Sequence, residues 1–113
     1  MARSKYKAVP TVVDGVRFDS KREASRWQEL QALQRGRRIS QLERQVIFNL
    51  APAVRLHGSN RLKPALRYVA DFRYFLVGEG RFIVEDSKGR DTPVSRIKRH
   101  LMKSVHGIDV VLS

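Results

Sequence analysis

The 113-residue sequence has no cysteine. Disulfides are excluded, and so is a zinc site built on thiolates. Long apolar runs are missing as well. No stretch reaches the roughly 18 residues that a membrane span needs, so a membrane is not expected as partner. The opening MARSKYKAV carries charge but no apolar core, which does not read as a secretory signal. A cytoplasmic setting is the simplest expectation. Acids are scarce: 11 Asp and Glu stand against 23 Lys and Arg, for a formal charge of +12. Such a field attracts polyanions and favours fast, salt-sensitive association, so nucleic acid is the expected partner. The 42% hydrophobic content is too high for a disordered tail. It suits one small domain over residues 1–113. The first ten residues read as a flexible basic arm, in which Lys5 and Lys7 can touch a phosphate backbone.

The pattern along the chain predicts a small α/β protein, a mixed central sheet flanked by helices. Asp14-Gly15 between valines signals a hairpin. Ser20 is a good N-cap and Glu23 completes a capping box. Ala24, Trp27, Leu30, Gln31 and Leu33 then form a stripe of helical period, and Gly36 can close a helix over Lys21 to Arg35. Leu42 to Leu50 alternates like a strand. Residues 51–64 contain two prolines and read as a loop. Ala65 to Val77 is a strand by its aromatic and β-branched content. Gly78-Glu79-Gly80 turns the chain into a second, antiparallel strand, Arg81 to Lys88. Thr92 caps a last helix with Pro93 in its first turn and Gly107 at its end. Val94, Ile97, Leu101 and Val105 are its expected buried face. Ile108 to Leu112 is expected as a final strand entering the sheet.

Within this basic chain, Asp71 and Asp86 stand out, because carboxylates disfavour strands and are costly inside unless paired or metal-bound. Strand alternation puts Val84, Asp86 and Lys88 on one side and Ile83, Glu85 and Ser87 on the other. Glu85 is therefore not taken as a ligand, although a bulge would exchange the two acids. A two-residue turn would set Asp71 opposite Lys88; a four-residue turn would set it opposite Asp86. Either register gathers Asp71, Asp86 and Lys88, with cross-strand partners roughly 5 Å apart at Cβ. Paired carboxylates repel unless a cation intervenes. Mg²⁺, a hard ion with oxygen ligands at about 2.1 Å, suits them, with Mn²⁺ as a substitute. Beside such an ion Lys88 can position water or hold a developing negative phosphate. Glu23 lies one helical turn before Trp27 and borders the buried stripe. It is a further candidate ligand, although its capping role alone accounts for a glutamate there. The plain alternative for all four is a surface salt-bridge cluster.

These residues carry a resemblance. Val69-Ala70-Asp71, a turn, and Ile83 to Gly89 resemble the signature of the PD-(D/E)xK nuclease superfamily. Its first acid matches Asp71, its acid-x-Lys matches Asp86-Ser87-Lys88, and its helical glutamate matches Glu23. Ala70 replaces the usual proline, which is not a ligand. More closely, the chain is similar to small phage and prophage proteins within that superfamily. The matching positions are Phe18, Ser20 and Glu23; Tyr68 to Phe72; Val84 to Gly89; Thr92-Pro93; and His106-Gly107. The resemblance implies a restriction-endonuclease-like core and a divalent-metal nuclease with Glu23, Asp71, Asp86 and Lys88 as its catalytic set.

The expectation is a Mg²⁺-dependent endonuclease hydrolysing DNA phosphodiesters. So small a domain offers little surface for reading a long sequence, so branched DNA such as a Holliday junction is the expected substrate. Resolving a junction needs two sites, hence a homodimer. Arg90, Arg96, Lys98, Arg99 and Lys103 are candidate phosphate contacts, an ordinary solvated basic face being the alternative. His100 and His106 lack any metal-binding or nuclease spacing. The second reading is a non-catalytic nucleic-acid-binding protein of phage replication or packaging. It shares the basic helix but has no need for Asp71, Asp86 and Lys88 to converge.

Overall fold

The computed structural model describes residues 9–88 and 91–113. The expected basic arm lies largely outside the described residues, as do Gly89 and Arg90. The chain opens with a short hairpin, β1 (Thr11–Val13) and β2 (Val16–Phe18), turned by Asp14 and Gly15 at positive φ. Helix α1 (Lys21–Arg35) follows. Its start is fixed by the Ser20 hydroxyl, which accepts from the Glu23 N–H at 3.1 Å. Strand β3 (Ile39–Ala51) is longer than the alternation predicted. The next segment, read as a loop, contains a two-rung hairpin of β4 (Val54–Arg55) and β5 (Leu62–Lys63). Strands β6 (Leu66–Leu76) and β7 (Arg81–Asp86), helix α2 (Pro93–His106) and strand β8 (Val111–Leu112) complete the order. The mixed four-stranded sheet runs β3-β6-β7-β8, with β7 and β8 parallel and the other pairs antiparallel.

The β6–β7 connection settles the register. Leu76 pairs with Arg81, so four residues make the turn, with Gly80 at φ 65° where a side chain would be strained. The pairing continues to Phe72 with Glu85. One rung further brings Asp71 level with Asp86.

A second irregularity lies at the same level of the sheet. Strands β3 and β6 keep one register from Glu43–Arg73 to Asn49–Arg67, yet Gln45 and Asp71 drop out of the pairing, and Gln45 sits at φ 52°. The halves of the long strands serve different helices. Phe72 and Tyr74 pack with Leu30 of α1 and with Ile39, whereas Tyr68 and Ala70 pack with Leu50, Val84 and Met102 of α2. The point where side-chain parity changes is thus the point where the acids gather.

The buried face expected for α2 is corrected by the structure. Val94 and Ile97 are 62% and 61% exposed and Val105 is half-exposed, while Met102 is fully buried and Leu101 partly so. Met102 lies in the cluster that contains Ala70. Leu33 of α1, also expected inside, is exposed at the helix end. No described helix is long and apolar enough to cross a membrane.

Candidate active site

Asp86 ends β7 and is 1% exposed. Its burial is tolerated because donors surround it. The Asp71 N–H donates to Oδ1 at 2.8 Å and the Tyr68 hydroxyl donates to Oδ2. The Lys88 ammonium lies 3.5 Å from Oδ2. Asp71 in turn accepts the Ser87 N–H on Oδ2 at 2.9 Å, and its Oδ1 makes no hydrogen bond among the described residues. The C-terminus clamps this corner. The Ser113 N–H donates to the Asp86 carbonyl, and the Lys88 N–H donates to the Ser113 carbonyl. The Asp86-Ser87-Lys88 segment is therefore held although β7 stops at Asp86 rather than at the expected Lys88.

Glu23 approaches from α1 and is 4% exposed. Gln45 Nε2 donates to its Oε1 at 3.3 Å, and the Arg44 guanidinium lies 3.6 Å away. Burial pushes its pKa from the ordinary 4.5 up to about 7, with the charges of Asp71 and Asp19 adding to the rise and Arg44 opposing it. Burial likewise raises Asp71, against the Ser87 N–H and Lys88, which lower it. Glu23 thus senses the charge of Asp71.

This predicts a pH dependence for the metal-free protein. Below about pH 4.5 Glu23 is protonated whether folded or unfolded, and its contribution to stability is fully present. As pH rises towards 7 the unfolded chain releases the proton first, so the contribution is lost, and above 7 no more is lost. Melting temperatures measured in EDTA should fall less across this window for Glu23→Gln than for wild type. Parallel curves would show that Glu23 titrates normally.

Glu85, one residue before Asp86, serves a different site. It is 1% exposed on the α1 side, where Arg26 donates to both of its oxygens at 2.7 and 2.9 Å and the Tyr74 hydroxyl donates at 2.6 Å. Burial alone would raise its pKa, but Arg26 and Tyr74 outweigh burial and hold it below the ordinary value.

The basic residues of α2 divide into two kinds. Arg96 and Arg99 are tied to Asp91, and Lys103 to Asp109. Lys98 is in none of the ion pairs among the described residues, and it lines a cleft beside Asp86 and Lys88. Arg90 lies outside the described residues. His106 bonds the Asn49 carbonyl at 2.7 Å, which gives it a packing role at the base of α2.

Residues 3–111 match the family described as Protein of unknown function (DUF1064). The chain belongs to this family. No curated protein and no solved structure matches it.

In this DUF1064 chain Glu23, Asp71, Asp86 and Lys88 gather at one corner, on supports that the strand pattern does not mark. Tyr68 stands among the strand aromatics of β6, yet its hydroxyl ends on Asp86. Its place three residues before an unusual strand acid was the available signal. Arg44 and Gln45 could not be found from alternation, because Gln45 departs from extended backbone. Among the described residues no group of three or more His, Cys, Asp or Glu side chains could by itself hold a metal ion. The donor set still fits Mg²⁺, which is commonly held by one or two carboxylates while retaining water and substrate phosphate. Among the described residues Asp71 Oδ1 accepts no hydrogen bond, and the Asp71 charge reaches Glu23. Asp86 has both oxygens already engaged, so its contribution is to fix Asp71 from behind and to hold Lys88.

Proposed function

We propose that this chain is a divalent-metal-dependent endonuclease of the PD-(D/E)xK type, acting on DNA phosphodiesters. The observation that carries this reading is the meeting of Asp71, Asp86 and Lys88 where the β6–β7 pairing stops, midway along β6 and at the end of β7, with Glu23 delivered from the neighbouring helix. A purely structural cluster would not need a partly exposed lysine beside an acid that has, among the described residues, an oxygen without a hydrogen bond. Asp71 and Glu23 would hold the ion, with Asp86 supporting them, and the bound ion would supply Lewis-acid stabilisation of the phosphate. Lys88 is set to place its positive charge where negative charge grows on the phosphate, and Asp86 keeps it there. The excess of basic residues would hold the polynucleotide through its backbone, which suits recognition of branched DNA by shape. A homodimer would place two such sites on the strands of a junction.

The test is cleavage of four-way junction, flap, single-stranded and linear duplex DNA with Mg²⁺, Mn²⁺ or EDTA. Metal-dependent cutting, strongest on a branched substrate, is expected. Tight binding with no cutting under any metal would leave the non-catalytic binding protein as the reading.

A further inference from the structure

Next to the acids, the end of β7, the strand β6 and the first turns of α2 enclose a cleft of about 290 Å³. Lys88 and Lys98 face it together with Asp86, Val69 and Val94. The cleft is not acidic in effect, because the Lys88 ammonium offsets the Asp86 charge while the Tyr68 hydroxyl and the Asp71 N–H occupy its oxygens. Among the described residues Lys98 pairs with no acid, whereas Arg96 and Arg99 pair with Asp91 and Lys103 with Asp109. Val69 and Val94 are exposed apolar residues that line the same cleft. The Lys98 ammonium beside the apolar walls of Val69 and Val94 matches a phosphodiester and its attached sugar better than a free inorganic ion.

We propose that this cleft seats the backbone phosphate adjacent to the one being cut, with Lys98 as the positioning residue that binds it. The inference rests on the nuclease reading for the word adjacent, but not for phosphate binding itself. It divides the corner into an acidic side, Glu23 and Asp71, where chemistry occurs, and a basic side, Lys98, where the strand is held in register. It also gives the exposed Val94 a role that the packing of α2 does not.

The full-length protein with Lys98→Ala, Lys98→Arg and, as a control, Lys103→Ala tests this. Binding to a fluorescent four-way junction is measured across a salt series in EDTA, and cleavage is measured separately with Mg²⁺. Removing Lys98 should weaken binding and reduce the salt slope by about 0.9, the loss of one phosphate contact. Lys98→Arg should restore the slope, and Lys103→Ala should change it less. In cleavage, Lys98→Ala should raise KM with kcat little changed. If wild type cuts DNA and Lys98→Ala matches it in slope and KM, the cleft assignment is overturned while the nuclease reading stands. If wild type never cuts but the slope still falls in Lys98→Ala, the phosphate seat is supported and the nuclease reading is the one that fails.

Discussion

Lys88→Ala is expected to lower metal-dependent DNA cleavage by about 10²–10³-fold, the usual loss on removing one preorganised charge at a developing anion. Melting temperature and DNA affinity should stay close to wild type. The reason lies in how little else Lys88 supports. Its side chain is 31% exposed, and its only ion pair among the described residues is the 3.5 Å contact with Asp86. Without it, Asp86 still accepts from Tyr68 and from the Asp71 N–H. Asp71→Asn should be at least as damaging to cleavage. The amide oxygen can keep the Ser87 N–H bond, while the charge facing Glu23 is lost. Asp86→Ala is a less clean probe, because it strands a buried hydroxyl and a backbone N–H at once. Asp86→Asn retains an acceptor and is the better partner experiment. Single-turnover cleavage of the preferred substrate, with melting curves beside it, decides the matter. Wild-type rates in both Lys88→Ala and Asp71→Asn would remove the catalytic reading of this corner.

The largest stability effect should come from a residue with no place in the chemistry. Arg26→Ala is expected to cost about 3 kcal/mol, near the low end for breaking a buried ion pair because Arg26 itself is partly exposed. The cost arises from Glu85, which would be left buried and charged without the cation that offsets its burial. For a domain of this size that is a large share of the total stability. Urea unfolding at pH 7 measures it. A double variant, Arg26→Met with Glu85→Leu, should recover most of the loss, since it removes the stranded charge together with its partner. Equal instability of the single and double variants would mean that packing, not charge, is at stake. The sign of the pH effect follows from the lowered pKa of Glu85: its contribution is present above the unfolded value, near 4.5, and is lost as pH falls through the folded value. Arg26→Ala should therefore lose part of the wild type's acid sensitivity.

Helix α1 and both helix caps were legible in the chain itself. Ser20, Glu23, Thr92, Pro93 and Gly107 act within a few residues of where they stand, and local hydrogen bonds decide helix ends. Strand alternation also separated Glu85 from Asp86 correctly, because the side-chain period of two is a property of extended backbone. Four residues between Leu76 and Arg81 were one of two registers the turn permitted; pairing across the sheet selected it.

Other features needed the folded molecule. The apolar stripe Val94, Ile97 and Val105 has the spacing of a buried face, yet it is exposed, because the sheet residues Leu50, Tyr68, Ala70 and Val84 take up Met102 of α2 instead. The bonds from Tyr68 to Asp86 and from Gln45 to Glu23 join residues 18 and 22 positions apart. They exist only because Gln45 and Asp71 leave the ladder at the same level, which no local pattern encodes. The sequence by itself determined which acids and which lysine were available and the elements that carry them, since those follow from composition and short-range geometry. Tertiary structure decided which of them are buried, which stay free to bind and which are tied to a partner, since burial and pairing are set by neighbours brought together from distant parts of the chain.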